Sequence, residues 1–141
     1  MNDKIIDGKL ISSEIREKVK KFGSQLKSKT GKVPGLAVVL VGENPASRVY
    51  VKNKIEKTVE VGFNSIEHKL SEKVSENELI YLVDKLNNDK NVQGILVQLP
   101  LPEHVDSDKI LDRIKPEKDV DGFHANNVGK LWSGLDSLVP C

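Results

Sequence analysis

The run Leu36-Ala37-Val38-Val39-Leu40-Val41 is the feature that most narrows what this chain can become. Six consecutive apolar residues leave no polar face. A strand made of them must be covered on both sides, as in a parallel sheet flanked by helices. Gly42 breaks the run, and Asn44-Pro45 is a helix start, with Asn as N-cap and Pro in the first turn. A helix beginning there places Ser47, Tyr50 and Lys54 at i, i+3 and i+7, along one side. Val51, Ile55 and Val59 form the neighbouring stripe and are expected to face the sheet. A hydroxyl, a phenol and an amine thus stand just past the carboxyl end of a strand, where open α/β sheets bind ligands. Taken singly, each is an ordinary polar residue at a helix edge, and Tyr-x-x-x-Lys recurs by chance.

The remaining chain repeats the same alternation. Asp7 can cap a first helix in which Ile11, Ile15, Val19, Phe22 and Leu26 recur at helical spacing, ending near Ser28 before Thr30-Gly31 and Pro34. Gly62 closes the second helix. Residues 63–70 read as a second strand. Ser75 with Glu78 is a capping box, opening a helix with Leu79, Leu82, Val83 and Leu86 on its apolar face. Gly94-Ile95-Leu96-Val97-Gln98-Leu99 is a third strand, residues 106–114 a short helix, and one further turn is expected near 128–131. The order predicts an α/β fold: a three-layer domain with a mostly parallel sheet flanked by helices and right-handed crossovers.

At 141 residues one domain and one full core are expected. The net charge of +1 and the interspersed lysines and glutamates point away from nucleic acid, and no apolar run nears the ~20 residues of a membrane span. The single cysteine, Cys141, excludes a disulfide framework. No signal peptide is read at the start, and a cytoplasmic protein is expected.

Two more segments offer chemistry. The third strand runs into Gln98-Leu99-Pro100-Leu101-Pro102, whose prolines end the ladder and stiffen the backbone. If strands one and three are neighbours, Gln98 emerges beside Lys54. Farther on, Lys118-Asp119-Val120-Asp121-Gly122 puts two carboxylates around one valine. In an extended segment both would point the same way. Asp119 is expected to accept bonds from nearby backbone N–H groups, leaving Asp121 as the functional carboxylate. No third ligand stands at metal spacing, so no metal is expected. His68, His104 and His124 are expected to be structural. No glycine-rich dinucleotide loop, phosphate loop or nucleophile elbow is present.

Ser47-Arg48-Val49-Tyr50-Val51-Lys52-Asn53-Lys54, Val97-Gln98-Leu99-Pro100-Leu101-Pro102, and Pro116-Glu117-Lys118-Asp119-Val120-Asp121-Gly122-Phe123 through Asn127-Val128-Gly129 resemble, in order, methylenetetrahydrofolate dehydrogenase/methenyltetrahydrofolate cyclohydrolase. The resemblance runs over essentially the whole chain. It implies a folate-binding N-terminal domain, with NADP held by a second, Rossmann domain that this chain lacks. The chain then reads as the isolated folate-side domain, residues 1–141, of a longer homodimeric enzyme. The resemblance makes Lys54 the catalytic residue, Gln98 its support, Tyr50 the platform for the aminobenzoyl ring and Asp121 the partner of the pterin edge. Ser47, Leu99 and Pro100 join Tyr50, Gln98 and Asp121 as substrate-binding residues. No cofactor-binding residue and no metal are expected here. The chemistry explains the amine, since an ammonium would be repelled by a cationic methenyl bridge. The helix N-terminus, Arg48 and Lys52 would favour its neutral form. Two rivals remain: the short-chain dehydrogenases, which need a glycine-rich turn that Gly42-Glu43-Asn44-Pro45 lacks, and a small α/β binding or interaction domain without catalysis.

Overall fold

The computed structural model describes residues 5–140; the expectations resting on residues 1–4 and on Cys141 lie outside them. The elements are α1 (Gly8–Thr30), β1 (Gly35–Val41), α2 (Pro45–Glu60), β2 (Asn64–Leu70), α3 (Glu76–Asn88), β3 (Gly94–Val97), α4 (Ser107–Arg113) and α5 (Ala125–Trp132). Each start has the cap its sequence offers. Asp7 accepts from Lys9 and Leu10 N–H, Asn44 from Ser47 N–H, and Asp106 from Lys109 N–H. Ser75 and Glu78 close the full capping box of α3.

The strands form one parallel sheet in the order β2-β1-β3. Successive β1 residues serve opposite faces. Ala37, Val39 and Val41 join Ile95 and Val97 in a core completed by Leu79, Val83 and Leu86 of α3, Ile110 of α4 and Ile114 just beyond it. Val38 and Leu40 join Leu96 in a smaller cluster under Val51 of α2. The helix leaving β1 therefore covers one face and the helix following β3 covers the other. The carboxyl ends of β1 and β3 form the point where the winding reverses, and a crevice opens at such points.

Three differences from the sequence reading have physical causes. β3 ends at Val97 rather than Leu99, although Gln98 N–H still bonds Val39 O at 2.9 Å. Two donorless prolines follow, and the Leu99–Pro100 bond is cis. On α2, Val51 is buried but Val59 is 59% exposed, and Thr58 is buried in its place. Residues four apart advance about 40° past a full turn per step at 3.6 residues per turn, so the stripe drifts off the sheet after two steps. Finally, the stripe of α1 does not reach the core, and none of its 23 residues is buried.

Past α4 the chain turns back along the free edge of β3. Ile95 N–H bonds Lys118 O at 2.7 Å, and Ile95 pairs in parallel with Asp119. Gly94 permits this approach, because a Cβ there would lie 2.5 Å from Val120 Cγ1. α5 runs for eight residues rather than a single turn, with the His124 side chain accepting Asn126 N–H at its start.

Candidate active site at the reversal of the sheet

The amine of Lys54 arrives from the third turn of α2, past the end of β1. The amide of Gln98 arrives from the end of β3. Nζ donates to Oε1 at 3.3 Å. Asp121 arrives from the edge segment, with Oδ1 4.0 Å from the same Nζ. Three separate stretches thus converge on one amine. The group stays open to solvent: the Lys54 and Asp121 side chains keep 33% and 17% of their exposure. Tyr50, one turn before Lys54, is exposed on the rim.

Gln98 is held in one orientation. Its Nε2 donates to Leu99 O at 2.8 Å, so Oε1 is the atom left to face Lys54. Ser47 lies at the base of this group rather than on its rim. It is buried, and its hydroxyl reaches toward Leu99 O at 3.5 Å, fastening α2 to the same carbonyl. Leu99 acts here through its backbone, and Pro100 is exposed beside it.

The charges around the amine differ from the expectation. Arg48 is paired with Glu43 at 2.7 Å, and Lys52 stands 3.9 Å from Glu56. Both pairs are exposed and contribute little field. Asp121 is the charge that faces the amine. Burial pushes its carboxyl above the usual aspartate range; the Lys54 charge pulls it down, and the charge of Asp119 pushes it up again.

Asp119 and Asp121 do not point the same way, because the segment is a turn rather than an extended strand. Asp119 is turned inward, where Oδ2 accepts His124 N–H at 2.8 Å and Asn127 Nδ2 at 2.9 Å. Asn127 and Lys118 were not singled out from sequence. Asn127 Nδ2 also donates to Pro116 O at 2.8 Å, and Lys118 Nζ donates to Leu86 O and Asp89 O at the end of α3. Burial holds the Lys118 ammonium below the ordinary lysine range. His104 bonds Val74 O, and His68 keeps a buried Nε2 without a partner. Among the described residues, no three His, Cys, Asp or Glu side chains stand together as a metal site. No described helix is long and apolar enough to cross a membrane.

Residues 6–121 match the family described as tetrahydrofolate dehydrogenase/cyclohydrolase, catalytic domain. A bifunctional protein FolD 2 from Roseobacter denitrificans is 57% identical over 137 residues, which are 97% of this chain and 46% of that protein. The crystal structure of the bifunctional FolD methylenetetrahydrofolate dehydrogenase/cyclohydrolase from Campylobacter jejuni superposes with a TM-score of 0.93 at 50% identity, covering 96% of this chain and 48% of that one. The Trypanosoma brucei FolD, solved with NADP cofactor and an inhibitor, gives 0.92 at 33% identity over 97% of this chain and 47% of its own. The chain spans about half the length of the curated relatives it matches. It belongs to the tetrahydrofolate dehydrogenase/cyclohydrolase family, and the match lies in that family's catalytic domain.

Proposed function

We propose that this chain binds a tetrahydrofolate carrying a one-carbon bridge, with Lys54 as the base that hydrolyses the 5,10-methenyl form to 10-formyltetrahydrofolate. The observation that carries this is the convergence of Lys54, Gln98 and Asp121 at the reversal of the sheet. The bridge is a cation, so an ammonium beside it is repelled while a neutral amine is tolerated. The amine takes a proton from water as the water oxygen bonds to the bridge carbon. The resulting carbinol loses its hydroxyl proton as the bond from carbon to N5 breaks, and Lys54 returns the first proton to N5. One proton is released overall. Gln98 Oε1 accepts an N–H of the amine and fixes where its lone pair points. Asp121 accepts the adjacent N–H groups of the pterin edge, a pairing suited to a carboxylate. Tyr50 offers its ring to the aminobenzoyl group.

The described residues do not suit a dinucleotide. α2 opens on Pro45, which has no N–H, and Asn44 takes the N–H of Ser47. In this reading NADP, found in the Trypanosoma brucei relative, is held by a second domain of a longer protein, residues 1–141 being the folate side. Dehydrogenation depends on that domain; the hydrolytic step draws on the residues described here. A cytoplasmic setting fits the charge balance and the single cysteine.

Lys54→Met tests the proposal. It should leave the unfolding midpoint unchanged and slow methenyltetrahydrofolate hydrolysis about 10²–10⁴-fold, the usual worth of a positioned base. Loss of the methenyl absorbance reports the rate, and near-normal hydrolysis would refute the assignment.

A further inference from the structure

Asp119 is 2% exposed, and its hydrogen-bond partners are neutral: His124 N–H and Asn127 Nδ2, both on Oδ2. A buried carboxylate without a cation is a poor source of stability, because desolvation costs several kcal/mol and an apolar residue of similar size often serves the fold better. The geometry around it suggests another use. Asp119 is the residue paired with Ile95 at the edge of β3, so its backbone belongs to the sheet. Its carboxylate reaches forward to His124 and to Asn127 in α5. Residues 120–123 are therefore closed into a loop whose two ends meet at one side chain, and Asp121 sits on that loop. Gly122 N–H bonds Asp119 O at 3.2 Å inside it. Gly122 itself has φ +70°, and a Cβ there would lie 2.8 Å from Leu138 O, so the loop is also packed from outside.

We propose that Asp119 is a positioning residue: by closing the loop 120–123 onto the edge of β3, it holds the Asp121 carboxylate where it meets Lys54 and the pterin edge. This rests on the folate reading given above. Asp119 touches neither the amine nor the substrate and acts only through Asp121. An asparagine at 119 keeps the shape and can turn its amide oxygen to both donors, which meet a single oxygen, but it loses the charge that strengthens such bonds, so the loop is held less firmly.

The test is a double-mutant cycle read by isothermal titration of tetrahydrofolate, kept reduced, into the chain and its D119N, D121N and D119N/D121N variants. D121N should weaken binding about tenfold or more, the range for a hydrogen bond to a charged group. D119N should weaken it about tenfold, and the double variant should bind within about twofold of D121N alone, because a residue acting through its partner is not additive with it. Losses that multiply, or wild-type affinity in D119N, would overturn the role of Asp119. Wild-type affinity in D121N would instead overturn the folate reading. If D119N loses cooperative unfolding, Asn127→Ala replaces it in the cycle. That variant removes one donor and keeps the carboxylate. Its loss, about threefold at the low end of a net hydrogen bond, should vanish in the D121N background, and persistence there would sink the proposal.

Discussion

The two faces of the sheet are filled to different depths. On one, Leu79, Val83 and Leu86 of α3 and Ile110 of α4 meet Ala37, Val39, Val41, Ile95 and Val97, all nearly or fully excluded from solvent. On the other, the buried cluster is Val38, Leu40, Leu96 and Val51, and the long helix α1 on that side buries nothing. Lys54 belongs to the thin face, and its partners come from the strand end and the edge segment. The contrast separates two tasks. The deep face supplies the cooperativity of the fold, and its α3 and α4 tie down the segment that leads to Asp121 through Asn87, which bonds Arg113 O and Lys115 N–H. The thin face carries polar groups whose removal changes chemistry more than stability.

The largest stability effect should come from the deep face. Leu79→Ala removes a fully buried side chain and is expected to cost about 2–5 kcal/mol, read from the denaturant midpoint at unchanged slope. Lys54→Met, by contrast, should hardly move that midpoint. If the two variants fall equally far, the division of labour between the faces is wrong.

The same division explains what the sequence could reveal. The runs at 36–41 and 94–99 and the caps at Asp7, Asn44 and Ser75 are local signals, and the elements begin where those signals place them, with β3 stopping two residues short of its run. The convergence of Lys54 and Gln98 followed from one topological condition, that β1 and β3 are neighbours, and they are. Three things depended on contacts between distant residues and were illegible. Ser47 looked like a rim residue but is buried against Leu99, because the first turn of α2 leans on the strand end. Asp119 was correctly read as a backbone acceptor, but its second donor, Asn127, lies eight residues away on a helix expected to be a single turn. The stripe of α1 announced an amphipathic helix without saying what would cover it.

A smaller effect sharpens the comparison at the site. Burial raises the Asp121 carboxyl above its ordinary range despite the pull of Lys54. A carboxyl whose pKa is higher in the folded than in the unfolded chain contributes stability at low pH, because the native state holds the proton more tightly than the unfolded one. That contribution is complete below the unfolded value, about 3.9, and is lost as pH rises through the folded value. Asp121→Asn removes the loss. It should be more stable than the wild type at pH 7 by about 0.5 kcal/mol, a figure kept small because solvent still reaches the group. The gain should fade toward pH 4. Lower stability than wild type at pH 7, or a gain that ignores pH, would show that the Lys54 ion pair outweighs burial.

The smallest effect belongs to α1. Phe22 is 70% exposed and Ile15 53%, so Phe22→Ser removes little that the fold has buried. Its expected cost is within about 0.5 kcal/mol, as for other surface substitutions. The amide exchange of α1 should follow local opening rather than global unfolding, because a helix with few buried contacts opens at the low end of the stability range. The main restraints on the helix are its Asp7 cap, the Gly31 end and the ion pair from Arg16 to Glu60 at 3.1 Å. Arg16→Ala should therefore speed exchange in α1 while leaving α3 untouched. If Phe22→Ser costs more than about 1 kcal/mol, or if α1 exchanges as slowly as α3, the stripe is already covered in solution. The thin face would then be as much a part of the cooperative fold as the deep one.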